Sequence, residues 1–132
     1  MAERAKRVLE GRRILVVEDE SIIALWVEDV LKQAGATVLG PVASVSEALV
    51  LAERETFDCA VLDYKLSDGT ITPVADHLVA RGLPFIFATG YDEGTPDRKY
   101  AHWPRVEKAF TIDELLKAIA SILGPTRPGK PT

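Results

Sequence analysis

Short apolar runs alternate along the chain with longer amphipathic stretches. The first run, Ile-Leu-Val-Val at 14–17, is too short for a buried helix and is typical of a strand covered on both faces. Similar runs predict strands at 37–39, 60–62 and 84–88, and Val106 marks a short fifth strand. We therefore predict five short and mostly buried strands.

The stretches between these runs carry apolar residues at helical spacing. Over 22–34 the apolar positions follow the period of an amphipathic helix, and Gly35 ends the pattern. A shorter helix is predicted at 72–81. The segment 92–101 has little apolar periodicity and contains helix breakers, so we expect it to be mobile, with its end anchored by Tyr100 and Trp103.

The first residues of two further helices can be predicted from capping motifs. Ser44 with Glu47, and Thr111 with Glu114, have the spacing of a capping box, in which the serine or threonine and the acid each bond a free backbone N–H group of the first turn. Apolar residues at helical spacing follow both boxes, and the second series ends at Leu123. We therefore predict helices directly after Ser44 and Thr111.

The predicted elements follow the order βαβαβαβαβα. Alternation with short connections implies an α/β fold in which a doubly wound, parallel five-stranded sheet carries helices on both faces. In such sheets ligands bind beyond the carboxyl ends of the strands. Residues that directly follow the apolar runs are therefore the candidates for chemistry.

Length and composition fit one globular domain of 132 residues. We expect an N-terminal arm at 1–11, the folded domain at 12–123 and a disordered, Pro- and Gly-rich tail at 124–132. A net charge of −4 argues against nucleic-acid binding, and no apolar run suits a membrane span or a signal peptide. The single cysteine, Cys59, is expected in the core, and the cytoplasm is the default location.

Polar side chains follow four of the five predicted strands. They are Glu18, Asp19 and Glu20 after the first strand, Asp63 after the third, Thr89 at the end of the fourth and Lys108 after the fifth. Each has an ordinary explanation alone, as a helix cap, a turn residue or a solvated charge. Together, the acids Glu18, Asp19 and Asp63 share one rim with a hydroxyl and an ammonium, a set that suits Mg²⁺ and phosphoryl transfer to a carboxylate.

These residues resemble the receiver domain of response regulators over about 12–123. The matching pieces are Ile-Leu-Val-Val-Glu-Asp-Glu at 14–20, Val-Leu-Asp-Tyr-Lys-Leu at 61–66 with Asp68-Gly69 after it, Ala-Thr-Gly at 88–90, and Lys108. The resemblance implies a flavodoxin-like fold, CheY-like, with strand order 2-1-3-4-5. It also implies roles for the site residues: Asp63 as phosphoacceptor, Asp19 as direct ligand of Mg²⁺ or Mn²⁺, Glu18 as a second acid acting through a metal-bound water, the backbone carbonyl of Lys65 as a further ligand, and Thr89 and Lys108 as the groups that bind the phosphoryl oxygens.

A narrower resemblance is to the FAT GUY subgroup of receivers. It is carried by Phe-Ala-Thr-Gly-Tyr at 87–91, by Gly40-Pro41 and by Pro-Val-Ala-Asp at 73–76. It implies a histidine kinase of the HWE or a related type, or a phosphotransfer protein, as partner. Nine residues follow Leu123. We therefore expect a stand-alone receiver, a monomer or weak dimer, that binds a downstream protein or acts as a phosphate sink.

The sequence departs from the receiver pattern at two positions. Receivers usually carry a cis Lys-Pro bond after the fifth strand, whereas Ala109 follows Lys108 here, so we predict a trans bond that still lets Lys108 reach the site. Arg105 stands where receivers usually have the aromatic residue that rotates on phosphorylation. Tyr91 is a candidate substitute for that aromatic residue, and Lys65 and Tyr91 occupy the places that tune phosphoryl lifetime.

Two other functions compete with the phosphoacceptor. A phosphorylation-independent adaptor with a degenerate receiver fold would explain the changes at Arg105 and Ala109. A phosphohydrolase of the haloacid dehalogenase type needs a second aspartate two residues after the nucleophile, where this chain has Lys65. We expect a phosphoacceptor that dephosphorylates itself slowly rather than a turnover enzyme.

Overall fold

A computed structural model describes residues 8–90 and 98–123 of the chain. Its strands are β1 (Arg13–Val17), β2 (Thr37–Val42), β3 (Cys59–Leu62), β4 (Lys65–Leu66), β5 (Gly69–Thr70), β6 (Phe85–Thr89) and β7 (Arg105–Glu107). Its α-helices are α1 (Ser21–Gln33), α2 (Val45–Arg54), α3 (Thr72–Ala80) and α4 (Ile112–Leu123), and a short 3-10 helix spans Arg98–Tyr100. No helix in these two ranges combines the length and the apolar character needed to cross a bilayer.

Five parallel strands form the main sheet, in the order β2-β1-β3-β6-β7. The predicted fold class and strand order are therefore confirmed. A two-stranded antiparallel hairpin of β4 and β5 lies outside this sheet and directly follows Asp63. The sequence pattern did not indicate the hairpin, because two-residue strands carry no readable periodicity.

The edge strand β2 is longer than predicted. It continues through Gly40 and Pro41 to Val42, and its pairing with β1 shifts register between Leu15 and Val17. Proline has no N–H group to donate, so it is tolerated at a sheet edge and at irregularities of this kind. The edge position thus explains why Pro41 does not end the strand.

The two faces of the sheet bury separate hydrophobic clusters. Leu15 and Val17 point towards α2 and α3, whereas Ile14 and Val16 point towards α1 and α4. Cys59 is fully buried as expected, and burial, followed by the charge of Asp58, raises the pKa of its thiol to about 12. The buried, unreactive thiol is therefore a packing residue.

The capping box predicted at Thr111 forms in full, and the one predicted at Ser44 forms in part. Glu114 donates its backbone N–H to Thr111 Oγ1 at 3.0 Å, and Glu114 Oε1 accepts the Thr111 N–H at 2.8 Å. At α2 the Glu47 N–H donates to Ser44 Oγ at 3.1 Å, while Glu47 Oε1 reaches the N–H of Ala43 at 3.3 Å.

The folded domain begins before the boundary predicted at residue 12. Leu9, assigned above to the N-terminal arm, is buried beside α1, and its N–H donates to Ala34 O at 2.8 Å. Residues 1–7 of the arm, the tail at 124–132 and residues 92–97 of the segment expected to be mobile lie outside the described residues.

Candidate metal and phosphoacceptor site

The carboxyl ends of the parallel strands bring the candidate residues to one rim. Carboxylate oxygens of Glu18, Asp19 and Asp63 all lie within 4.8 Å of one another. Glu18 is 4% exposed, Asp63 is 1% exposed and Thr89, at the end of β6, is 5% exposed. Lys108 completes the set from the end of β7. The strand-end argument therefore placed these residues together correctly.

The ammonium of Lys108 lies among carboxylates. Its Nζ donates to Glu18 Oε2 at 3.1 Å, to Glu20 Oε1 at 3.1 Å and to Asp63 Oδ2 at 3.3 Å. Burial alone would lower the pKa of Lys108, but the charge of Asp63, the hydrogen bond and charge of Glu18 and the hydrogen bond of Glu20 together hold that pKa well above its usual range. Lys108 therefore stays cationic at every physiological pH.

The donor set fits a divalent cation that prefers oxygen ligands. Mg²⁺ is usually bound by one or two carboxylates together with waters and phosphate oxygens. Glu18, Asp19 and Asp63 offer three carboxylates from two adjacent strand ends, β1 and β3. The further ligand expected from the backbone carbonyl of Lys65 stays a prediction.

Glu20 belongs to this site, although sequence reasoning placed it on the rim without a role. It occupies the N-cap position of α1, yet its side chain makes no capping hydrogen bond. Instead the Glu20 N–H donates to Glu18 Oε2 at 3.0 Å, and the Glu20 carboxylate contacts Lys108. The cap explanation that competed with the functional one is therefore wrong for this side chain.

The loop that presents Lys108 has no cis peptide bond after the lysine. The Lys108–Ala109 bond is trans, as predicted, and Ala109 has a φ of 76° in the left-handed region. The Lys108 N–H donates to Thr89 O at 2.7 Å, which fixes the start of the loop against β6. The chain thus reverses here through a left-handed alanine, which costs about 1–2 kcal/mol relative to an unstrained residue.

An aromatic cluster surrounds β6, the strand that ends at Thr89, and includes Tyr100. Phe87, two residues before Thr89, contacts Tyr64 and Tyr100 at centroid distances of 6.0 and 5.8 Å. Trp103 stacks on Phe85 at 4.9 Å and donates its Nε1–H to Phe85 O at 3.0 Å. Tyr100 and Trp103 therefore pack against β6, while their role as anchors of the segment 92–101 stays a prediction.

Tyr100 is also tied to α3 by a polar contact. Its hydroxyl donates to Asp76 Oδ1 at 2.7 Å, and Lys99 Nζ lies 2.9 Å from the same oxygen. The contact with Lys99 and then that with Tyr100 lower the pKa of Asp76. The buried ring of Tyr100 thus has its polar end satisfied at the surface.

Asp68 fixes the hairpin that follows Asp63. Its Oδ1 accepts the Val45 N–H at 2.9 Å and its Oδ2 accepts the Ser46 N–H at 3.4 Å, at the N-terminus of α2. These bonds, that to Val45 first, lower the pKa of Asp68. Sequence reasoning used Asp68 only as part of a motif and had no signal for this contact.

The proposed switch and tuning residues are placed only in part. Arg105 is exposed on β7, and Lys65 is exposed on β4. Tyr91 lies outside the described residues. The roles assigned to these three residues remain predictions.

Comparisons with known proteins agree on one kind of domain. The solution structure of SdrG from Sphingomonas melonis Fr1 is similar with a TM-score of 0.78 and 41% identity, over 86% of this chain and 97% of SdrG. The receiver domain of the sensor histidine kinase PA1611 from Pseudomonas aeruginosa PAO1, with a magnesium ion coordinated in the active site cleft, is 27% identical with a TM-score of 0.75, over 87% of this chain and 99% of that one.

A curated relative is the phyllosphere-induced regulator PhyR from Methylorubrum extorquens AM1. It is 32% identical over 102 residues, which are 75% of this chain and 36% of PhyR. The chain spans about half the length, or less, of the curated relatives it matches, 55% in the longest overlap. No family model matches the sequence.

Proposed function

This chain belongs to the receiver domains of response regulators, the CheY-like family, and on that premise we propose that Asp63 accepts a phosphoryl group from a histidine kinase. One observation carries the proposal. The buried carboxylate of Asp63 lies at a strand end within 4.8 Å of the carboxylate oxygens of Glu18 and Asp19, and its Oδ2 is 3.3 Å from the Lys108 ammonium.

The transfer forms one bond and breaks another. A carboxylate oxygen of Asp63 attacks phosphorus while the P–N bond of a phosphohistidine breaks. The electron pair of that bond returns to the imidazole nitrogen, which takes a proton from water. Hydrolysis reverses the outcome, because water then attacks phosphorus and the P–O bond breaks to give inorganic phosphate and the Asp63 carboxylate.

The surrounding residues divide the remaining work. Glu18, Asp19 and Asp63 would hold Mg²⁺, or Mn²⁺ in its place, which when bound neutralises phosphoryl oxygens. Lys108 and the Thr89 hydroxyl would bind the other oxygens of the group. With no second carboxylate at Lys65, the chain would dephosphorylate itself slowly and act as a switch rather than a turnover enzyme.

A docking face for the phosphodonor lies beside Lys108. A groove of about 270 Å³ lies between α1 and the loop before α4, and it is lined in part by Ile22, Ile23, Trp26 and Ala109. Ile22 is 82% exposed. An apolar surface that borders the phosphoacceptor suits a kinase or phosphotransfer helix, of the HWE or a related type by resemblance. Downstream, the phosphorylated chain would bind a protein partner or drain phosphoryl groups from the kinase.

Beryllium fluoride tests the proposal directly, since it mimics a bound phosphoryl group on a carboxylate. With Mg²⁺, we expect saturable changes in tryptophan fluorescence for the wild type and none for Asp63→Asn. A wild type that gives no response would instead identify a phosphorylation-independent adaptor.

A further inference from the structure

Glu20 starts a helix but turns its side chain away from it. At the N-cap position of α1 its carboxylate is close to the free N–H groups of the first turn, yet it accepts no hydrogen bond from them. Its carboxylate instead meets Lys108 Nζ at 3.1 Å, and its side chain is 59% exposed while that of Lys108 is 12% exposed. The contact therefore joins the buried site to its solvent-facing rim.

The same ammonium contacts two of the oxygens that offer a metal site. Lys108 Nζ is 3.1 Å from Glu18 Oε2 and 3.3 Å from Asp63 Oδ2. A divalent cation and an ammonium compete for these carboxylates, because each is attracted to the same negative charge. Lys108 must therefore give up part of its contact with Glu18 and Asp63 when a cation binds.

No proline ring follows Lys108 to fix the backbone there. Ala109 reverses the chain through a left-handed φ of 76° and not through a proline ring. The Lys108 N–H donates to Thr89 O, a bond that holds the backbone but not the ammonium. Side-chain partners must then decide where the ammonium lies.

We propose that Glu20 is a positioning residue for Lys108, which holds the ammonium at the rim of the site when a divalent cation occupies the carboxylates of Glu18 and Asp63. The inference rests on the proposed function, because it presumes a cation site. In the cation-free state Glu20 is an acceptor of Lys108 beside Glu18 and Asp63. In the cation-bound state it becomes the main one, so the Glu20–Lys108 pair favours cation binding.

A double-mutant cycle separates this role from plain electrostatics. The Mg²⁺ dissociation constant is measured by titration calorimetry, without any phosphoryl donor, for the wild type, Glu20→Gln, Lys108→Met and the double variant. We expect Glu20→Gln to weaken Mg²⁺ binding by about two- to fivefold, the range for a partly exposed ion pair. In the Lys108→Met background the same change should have an effect smaller than about 1.5-fold, since the pair no longer exists.

Controls keep the cycle interpretable. Glu107→Gln removes an exposed acid one residue before Lys108 but outside the three-carboxylate contact, and should leave Mg²⁺ affinity nearly unchanged. Glu20→Asp should restore part of the affinity lost in Glu20→Gln. Thermal unfolding checks that each variant is folded, and Lys108→Gln replaces Lys108→Met if the latter is not.

Each outcome decides between the claims. Equal effects of Glu20→Gln in both backgrounds, or no effect in either, would overturn the positioning role while leaving the cation site intact. A wild type that binds no Mg²⁺ at millimolar concentration would instead overturn the proposed function.

Discussion

Replacing Ala109 by glycine tests the backbone conformation that presents Lys108. A Cβ in the left-handed region costs about 1–2 kcal/mol, and Ala109 has a φ of 76°. Glycine removes that cost but makes the unfolded chain more flexible, which costs about 0.4–1 kcal/mol. The free energy of unfolding of Ala109→Gly should therefore rise by about 0.5–1 kcal/mol.

Urea and thermal unfolding measure this change. For a chain of 132 residues the gain corresponds to a Tm increase of about 2–3 °C. Ala120→Gly is the matched control, because Ala120 is exposed within α4 and glycine should destabilise a helix interior there by about 1 kcal/mol. The two substitutions should thus have opposite signs.

Ala109→Pro extends the test to the residue that receivers usually carry. A proline ring fixes φ near −65°, which is incompatible with the left-handed conformation. We expect Ala109→Pro to lower stability by more than about 1 kcal/mol and to weaken beryllium fluoride binding by displacing Lys108. Loss of stability in Ala109→Gly, or an Ala109→Pro variant at least as stable as the wild type, would refute the reasoning.

Three other predictions follow from named contacts. Tyr100→Phe loses the bond to Asp76 and should lower stability by about 1 kcal/mol in urea unfolding, with unchanged far-UV circular dichroism; no loss would contradict a stabilising bond. The backbone N–H groups of α2 lower the pKa of Asp68, so its carboxylate stabilises the fold above the unfolded pKa of about 3.8, and this contribution is lost as pH falls through the lower folded pKa. Asp68→Asn should flatten this dependence of stability on acid pH, and a stability profile equal to that of the wild type would contradict the role of Asp68. Ile22→Asp should slow phosphotransfer from a cognate kinase at least about tenfold but leave phosphorylation by acetyl phosphate unchanged, whereas the control Val50→Asp, on α2, should change neither rate. Equal slowing with both phosphodonors would contradict a docking face at Ile22.

The convergence of the site residues was accessible from sequence for one physical reason, whereas the strand order came from the resemblance to receivers. Parallel strands end on the same edge, so residues after successive apolar runs must converge. Asp63, Glu18 and Lys108 follow this rule. Their backbone positions bring the side chains to one rim, where rotamers and partners then decide the individual contacts.

The remaining features depend on torsion angles and contacts that leave no pattern. Glu20 stands where a helix cap is expected, and only its rotamer places its carboxylate against Lys108. Asp68 bonds α2 from 22 residues or more away along the chain, and nothing at helical or strand spacing records that contact. Ala109 has no propensity for a positive φ, so the absence of proline was the one clue to an unusual turn.

Phosphorylation of Asp63 is the most direct test of the account. The purified chain is incubated with acetyl phosphate and Mg²⁺, and its intact mass is measured with time beside Asp63→Asn and a sample containing EDTA. We expect the wild type to gain the mass of one phosphoryl group, and both Asp63→Asn and the EDTA sample to gain none. An unmodified wild type, or modification that persists in Asp63→Asn, would contradict the assignment of Asp63 as the phosphoacceptor.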